Sequence, residues 1–259
     1  MASRASFDDS RHKGGPPQNR RTRAPIVDQH ATWLAVNPIQ GCPKACTYCF
    51  LNERGQTAVP PEHLTSAAQA TDLLLGSAFY SPSRPVALYT WTDVMALPHS
   101  RAHLTALLQE LTRRRVPNPI IVITKCHVSD ETIEILTSAR QRGLTVLVYL
   151  SYSGLGRDIE RGIRREAIED NFPRLAAAKV PLVHYWRPAF PESAELGAMR
   201  DVLDYVALYA RCTVAAGLKV EKAALERLSE VWPELASTPG VTEAEGVYPR
   251  QFWEFIHRT

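Results

Sequence analysis

The sequence has 259 residues, 45% hydrophobic and 22% charged, with a net charge of +3. That composition suits one large core, and no apolar run reaches the ~18 residues of a membrane span. So small a charge neither supports nor excludes a nucleic-acid partner.

Met1 to Pro25 lacks the apolar stretch of a secretory signal, so a cytoplasmic location without membrane association is expected. Arg4, Arg11, Lys13, Arg20, Arg21 and Arg23 outnumber Asp8 and Asp9 there, around Gly14-Gly15-Pro16-Pro17. Residues 1–30 are therefore expected to be a disordered basic arm, either a solvated tail or a grip on phosphate.

From Thr32 onward, short β-branched or aromatic runs alternate with longer amphipathic stretches. Thr32 to Val36 reads as a strand, and His63 to Leu75 as a helix entered after Pro60-Pro61. Val86 to Tyr89 is a second strand. The helix Arg101 to Arg114 follows, with Leu104, Leu107, Leu108 and Leu111 on one face. Ile120 to Ile123 is nearly all β-branched, as in a strand covered on both faces. Ser129-Asp130-Glu131 caps the next helix and Gly143 ends it. Thr145 to Leu150 is the fourth strand. Ile163 to Ala178 is helical, with a break or fresh start expected at Pro173. Leu182 to Trp186 is the fifth strand and Leu196 to Arg211 a helix. A sixth strand lies at Thr213 to Ala216 or at Leu218 to Val220, before a last helix from Glu221 to Val231. Residues 236–259, with Tyr248, Phe252, Trp253 and Phe255, are expected to form a tail packed on the barrel of residues 31–235.

Six strand–helix units imply a parallel sheet with right-handed crossovers, too few for a closed eight-fold barrel. The expected fold class is α/β, a partial (β/α)6 TIM-like barrel with parallel strands. Ligands in such folds bind at the carboxyl ends of the strands.

Just after the first strand, Cys42, Cys46 and Cys49 stand in C-x3-C-x2-C spacing. Three thiolates hold three irons of a [4Fe–4S] cluster and leave the fourth iron open. The alternative is zinc, which needs a fourth Cys or His, and His30 and His63 lack the paired spacing. The remaining cysteines, Cys126 and Cys212, are isolated.

This motif, with Tyr48 just before its third cysteine, resembles the signature of the radical S-adenosylmethionine (SAM) superfamily. The resemblance covers about Ala31 to Leu225 and is carried chiefly by the cysteines. It implies a partial barrel, a [4Fe–4S] cluster, SAM as cofactor, and a reducing partner such as a flavodoxin or ferredoxin. The second strand ends Thr92-Asp93, and the Gly-Gly-Glu of many members is absent. Thr-Asp here is similar to the spore photoproduct lyase and DNA-repair-photolyase-like branch, although Val94 replaces a proline often seen there. Lys125, at the third strand end, resembles the same branch.

The resemblance implies that Asp93 meets the SAM ammonium and Lys125 its carboxylate. The plainer alternatives are a loop-capping Asp and a rim lysine. Ser151 or Ser153 at the fourth strand end would bind ribose hydroxyls or the carboxylate. Arg187 at the fifth would reach SAM, an anionic substrate or a structural ion pair. Cys126 is either a hydrogen donor to a product radical or a buried inert thiol. His184 is expected to be packed. Three functions follow from these residues: radical SAM chemistry within that branch, the same chemistry on a small molecule or peptide in a tailoring pathway, or a zinc-binding or redox-sensing module without catalysis.

Overall fold

The computed structural model describes residues 21–189, 195–219, 228–230, 233, 246–247 and 250–258. The first twenty residues of the arm, Tyr248 and most of the helix expected from Glu221 to Val231 lie outside this set.

The chain opens with β1 (Val27–Gln29), β2 (Leu34–Val36), β3 (Ile39–Gln40), β4 (Ala45–Cys46), β5 (Glu62–His63) and α1 (Ala67–Leu75). Then come β6 (Val86–Leu88), α2 (Pro98–Arg113), β7 (Ile120–Thr124), α3 (Asp130–Gln141), β8 (Val146–Leu150), β9 (Glu160–Arg161) and α4 (Arg165–Ala177). β10 (Leu182–Ala189), α5 (Leu196–Ala207), β11 (Thr213–Lys219), β12 (Gly246–Val247) and α6 (Arg250–Ile256) complete it.

One sheet has the order β1-β2-β6-β7-β8-β10-β11-β12. Its six inner strands, β2, β6, β7, β8, β10 and β11, run parallel, while β1 and β12 flank them antiparallel. This is the expected partial (β/α)6 barrel. One face of the sheet is dry: Val36, Leu88, Val122, Val148 and Leu150 pack with Leu108 and Leu111 of α2, Leu136 of α3 and Phe172 of α4. Each fully buried leucine there contributes roughly 1.5–3 kcal/mol relative to exposure. Alternation puts Ile123, Tyr149 and Tyr185 on the opposite face, where the two tyrosine rings meet at 5.8 Å.

The structure corrects several element boundaries. The first helix starts at Ala67, because Ser66 and Gln69 form a capping box there. Residues 62–63 instead pair with β3. β11 spans both candidate sites for the sixth strand. Pro173 does not break α4. A proline there leaves the carbonyl of Glu169 without its helical donor, and the Tyr205 hydroxyl donates to that carbonyl at 2.7 Å.

The end of the segment expected as an arm belongs to the barrel. β1 pairs with β2, Ala24 exchanges two hydrogen bonds with the Gln40 amide, and the Gln56 amide donates to the Thr22 carbonyl. At the other end, Phe252 of α6 is fully buried with its ring 4.8 Å from that of Trp186.

Candidate active site

The cysteine loop leaves the carboxyl end of β2 and is fixed by its backbone. Gly41 has φ +97°, and a side chain there would put Cβ 2.9 Å from the Pro60 carbonyl oxygen, so only glycine fits. Cys42 is held by two backbone bonds, from its N–H to Gln56 O at 2.7 Å and from Val59 N–H to its own carbonyl at 3.1 Å. The Asn52 amide donates to the carbonyls of Cys46 (3.0 Å), Thr47 (3.2 Å) and Cys49 (2.8 Å), and its oxygen accepts from Thr57 at 2.6 Å. One side chain thus folds the turn that carries two of the three thiols.

All three thiols are free, and burial pushes each of them up, Cys42 and Cys46 to about 12. Asp93 adds to the effect at Cys42. At Cys46, Lys125 opposes it, and both other thiols are close enough to raise it further. Protonated thiols crowded on one loop are what iron would displace protons from. Among the described residues, no group of three or more His, Cys, Asp and Glu side chains converges as a finished metal site. The donor chemistry nevertheless fits a cluster with one open iron: three sulfurs stand on one short loop in C-x3-C-x2-C spacing.

The strand ends form a network around this loop. Thr92 donates to the Gly41 carbonyl at 2.6 Å, tying the end of the β6 strand to the cysteine loop. The buried Asp93 carboxylate accepts from Met95 N–H (3.1 Å), Thr124 hydroxyl (2.8 Å) and Lys125 N–H (2.8 Å). It therefore joins the β6 and β7 ends, and the Cys126 thiol is a further partner. Lys125 points its ammonium to Glu160 (2.8 Å), Ser151 O (3.2 Å) and Arg187 O (3.1 Å), 5.7 Å from the Tyr48 ring centre. Its three donors are all engaged.

Glu160 lies at the centre. It also accepts from the Tyr48 hydroxyl at 2.5 Å, and its position follows from β9 pairing antiparallel with β4, Cys46 opposite Glu160. Ser151 and Ser153 are buried: Ser151 donates weakly to Arg187 O at 3.4 Å, and Ser153 accepts from Leu155 N–H at 3.2 Å in its own turn. Arg187 forms no ion pair among the described residues. It donates to the Tyr185 hydroxyl at 3.0 Å on the face away from the helices.

The two isolated cysteines separate. Cys126 is buried beside Asp93, and burial, then Asp93, drives its thiol far above the usual range. Cys212 is exposed and immediately precedes β11. Because His184 is level with both Leu150 and Thr213, Cys212 falls one rung back with Val183 and Tyr149. It raises the Tyr149 phenol after burial has done so. His184 is packed as expected, its Nε2 donating to Tyr152 O at 2.8 Å. Sequence reasoning missed Glu160, Asn52 and the placement of Cys212. The run Arg157-Asp158-Ile159-Glu160-Arg161 looks like a solvated loop, whereas Asn52 before Glu53-Arg54-Gly55 carries a recognisable turn signal.

No protein-family model and no curated protein matches the sequence. Solved structures do match. Spore photoproduct lyase complexed with dinucleoside spore photoproduct aligns over 87% of this chain and 73% of its own, at 14% identity and TM-score 0.61. A cysteine-to-serine mutant of spore photoproduct lyase aligns over 92% and 77%, at 14% identity and TM-score 0.63. Streptococcus suis SuiB bound to S-adenosylmethionine aligns over 86% of this chain but 46% of its own, at 11% identity and TM-score 0.57. The chain thus has the fold of spore photoproduct lyase, the branch that Thr92-Asp93 and Lys125 at its strand ends resemble.

Proposed function

We propose that this chain is a radical SAM enzyme, with Cys42, Cys46 and Cys49 holding a [4Fe–4S] cluster and SAM bound beside it. The observation that carries the reading is three free thiols on one braced loop at the carboxyl ends of a six-stranded parallel partial barrel. When bound, such a cluster supplies one electron through its open iron and cleaves SAM to methionine and a 5′-deoxyadenosyl radical. SuiB, with the same fold, is a SAM-bound structure, which supports that cofactor.

The chain's own residues take defined parts. Thr92, through Gly41, fixes the entry to the cysteine loop. The negative charge of Asp93 suits the SAM ammonium. Arg187, which has no acid partner among the described residues, suits a carboxylate of SAM or of an anionic substrate. Lys125 holds Glu160 and the carbonyls at the β8 and β10 ends, so it shapes the pocket with Ser151 and Ser153 while its charge stays neutralised. Tyr48 anchors the loop to Glu160. Substrate would lie on the face that carries Tyr149 and Tyr185. A thiol donor there is better served by Cys212 than by Cys126, which is buried beside Asp93. The electron would come from a reduced flavodoxin or ferredoxin.

The test is anaerobic reconstitution with iron and sulfide, reduction in the presence of SAM, and assay of 5′-deoxyadenosine. Its formation, lost in each of Cys42→Ala, Cys46→Ala and Cys49→Ala, is the expected result. Stoichiometric zinc without SAM cleavage would sink the proposal and leave a metal-binding module.

A further inference from the structure

A cavity of about 220 Å³ opens beside the cysteine loop. Its walls come from that loop, from the start of α2, from the β7–α3 connection and from the start of α4. The lining is basic: Lys44, Arg101, Lys125 and Arg164 contribute to it, with His127, and no carboxylate does. The charge of Lys125 is already matched by Glu160. The other three cations are different. Lys44 donates to the Gly162 carbonyl at 2.8 Å and Arg101 to the Met95 carbonyl at 2.9 Å. Neither forms an ion pair among the described residues, and Arg164 forms none either.

Three unmatched cations around so small a space repel one another, and an anion in the middle would reverse the sign of that energy. None of Tyr149, Tyr185 and Arg187 lines the cavity, so it is distinct from the face assigned to substrate.

We propose that this cavity binds a phosphate group. Three cations favour a tetrahedral dianion over a single carboxylate, and two guanidinium forks with one point-like ammonium suit its several oxygens. The inference does not rest on radical chemistry, so a chain that never cleaves SAM could still bind phosphate.

Titration calorimetry of the full chain with inorganic phosphate, at constant ionic strength, tests it. A single saturable site is expected. Arg164→Ala and Lys44→Ala should each weaken it by about tenfold or more, the loss of one charge-assisted bond. Arg164 is exposed, so its variant should melt like wild type, and Arg113→Ala at the far end of α2 should bind phosphate normally. A parallel titration with a short oligonucleotide lacking terminal phosphates identifies the source. Tighter binding than inorganic phosphate, with the same loss in Arg164→Ala, marks a phosphodiester, and weaker binding marks a terminal phosphate. Absence of saturable binding by both probes, or binding that Arg164→Ala and Lys44→Ala leave unchanged, overturns the proposal.

Discussion

Replacing Glu160 should cost more stability than any exposed carboxylate in the chain. Its side chain is 5% exposed and its Lys125 partner 15%. Glu160→Ala removes the acceptor of both Tyr48, at 2.5 Å, and Lys125, at 2.8 Å. The ammonium keeps two carbonyls at 3.2 and 3.1 Å but loses its counter-ion. Stranding one member of a buried pair costs about 3–5 kcal/mol, and the partial exposure of Lys125 puts the loss at ~3 kcal/mol. At ~2–4 °C per kcal/mol for a chain of this size, the melting temperature should fall by roughly 6–12 °C. Glu160→Gln keeps an oxygen acceptor without the charge and should lose about 1–2 kcal/mol. Thermal and urea melts followed by circular dichroism measure all three states. The double variant Glu160→Ala with Lys125→Met leaves no stranded charge, so its loss should be smaller than the sum of the single losses by about 1–3 kcal/mol. A Glu160→Ala melt within about one degree of wild type, or strict additivity in the double variant, would refute the buried-pair argument.

Three further outcomes follow from the same geometry. Asn52→Ala leaves the carbonyls of Cys46, Thr47 and Cys49 without their shared donor. It should cost about 1–3 kcal/mol and lower the iron and sulfide retained per chain after reconstitution; unchanged retention and melting would show that the turn holds without it. Gly41→Ala forces a side chain into left-handed backbone and against Pro60, with an expected loss of roughly 1–3 kcal/mol in urea melts; a wild-type midpoint contradicts the close approach. His184 is neutral and buried, its pKa held down at about 4 by burial against an ordinary value of 6.5. Because the folded value is depressed, the unfolded chain binds the proton first. Stability is full above pH ~6.5 and falls toward pH ~4, by up to roughly 3 kcal/mol from this residue. Melting temperatures of wild type and His184→Gln across that window should converge as pH drops, and parallel curves would remove His184 from the account.

Much of the fold was legible because each element carries its own burial pattern. Ile120 to Thr124 is a strand from its branched residues alone, and α2 shows its buried leucines at helical spacing. Legibility fails where a residue's role depends on a distant one. Glu62 and His63 follow a helix-entry signal but pair with β3. Pro173 reads as a break until Tyr205 supplies the missing donor. In the site, strand-end position picked out Asp93, Lys125 and Arg187 but not their partners. Tyr48 and Glu160 are 112 positions apart, and only the β4–β9 register brings them together. That register redistributes charge. Once Glu160 neutralises Lys125, Arg187 stands without an acid among the described residues on the face away from the helices, and any anionic group bound there must answer to it first.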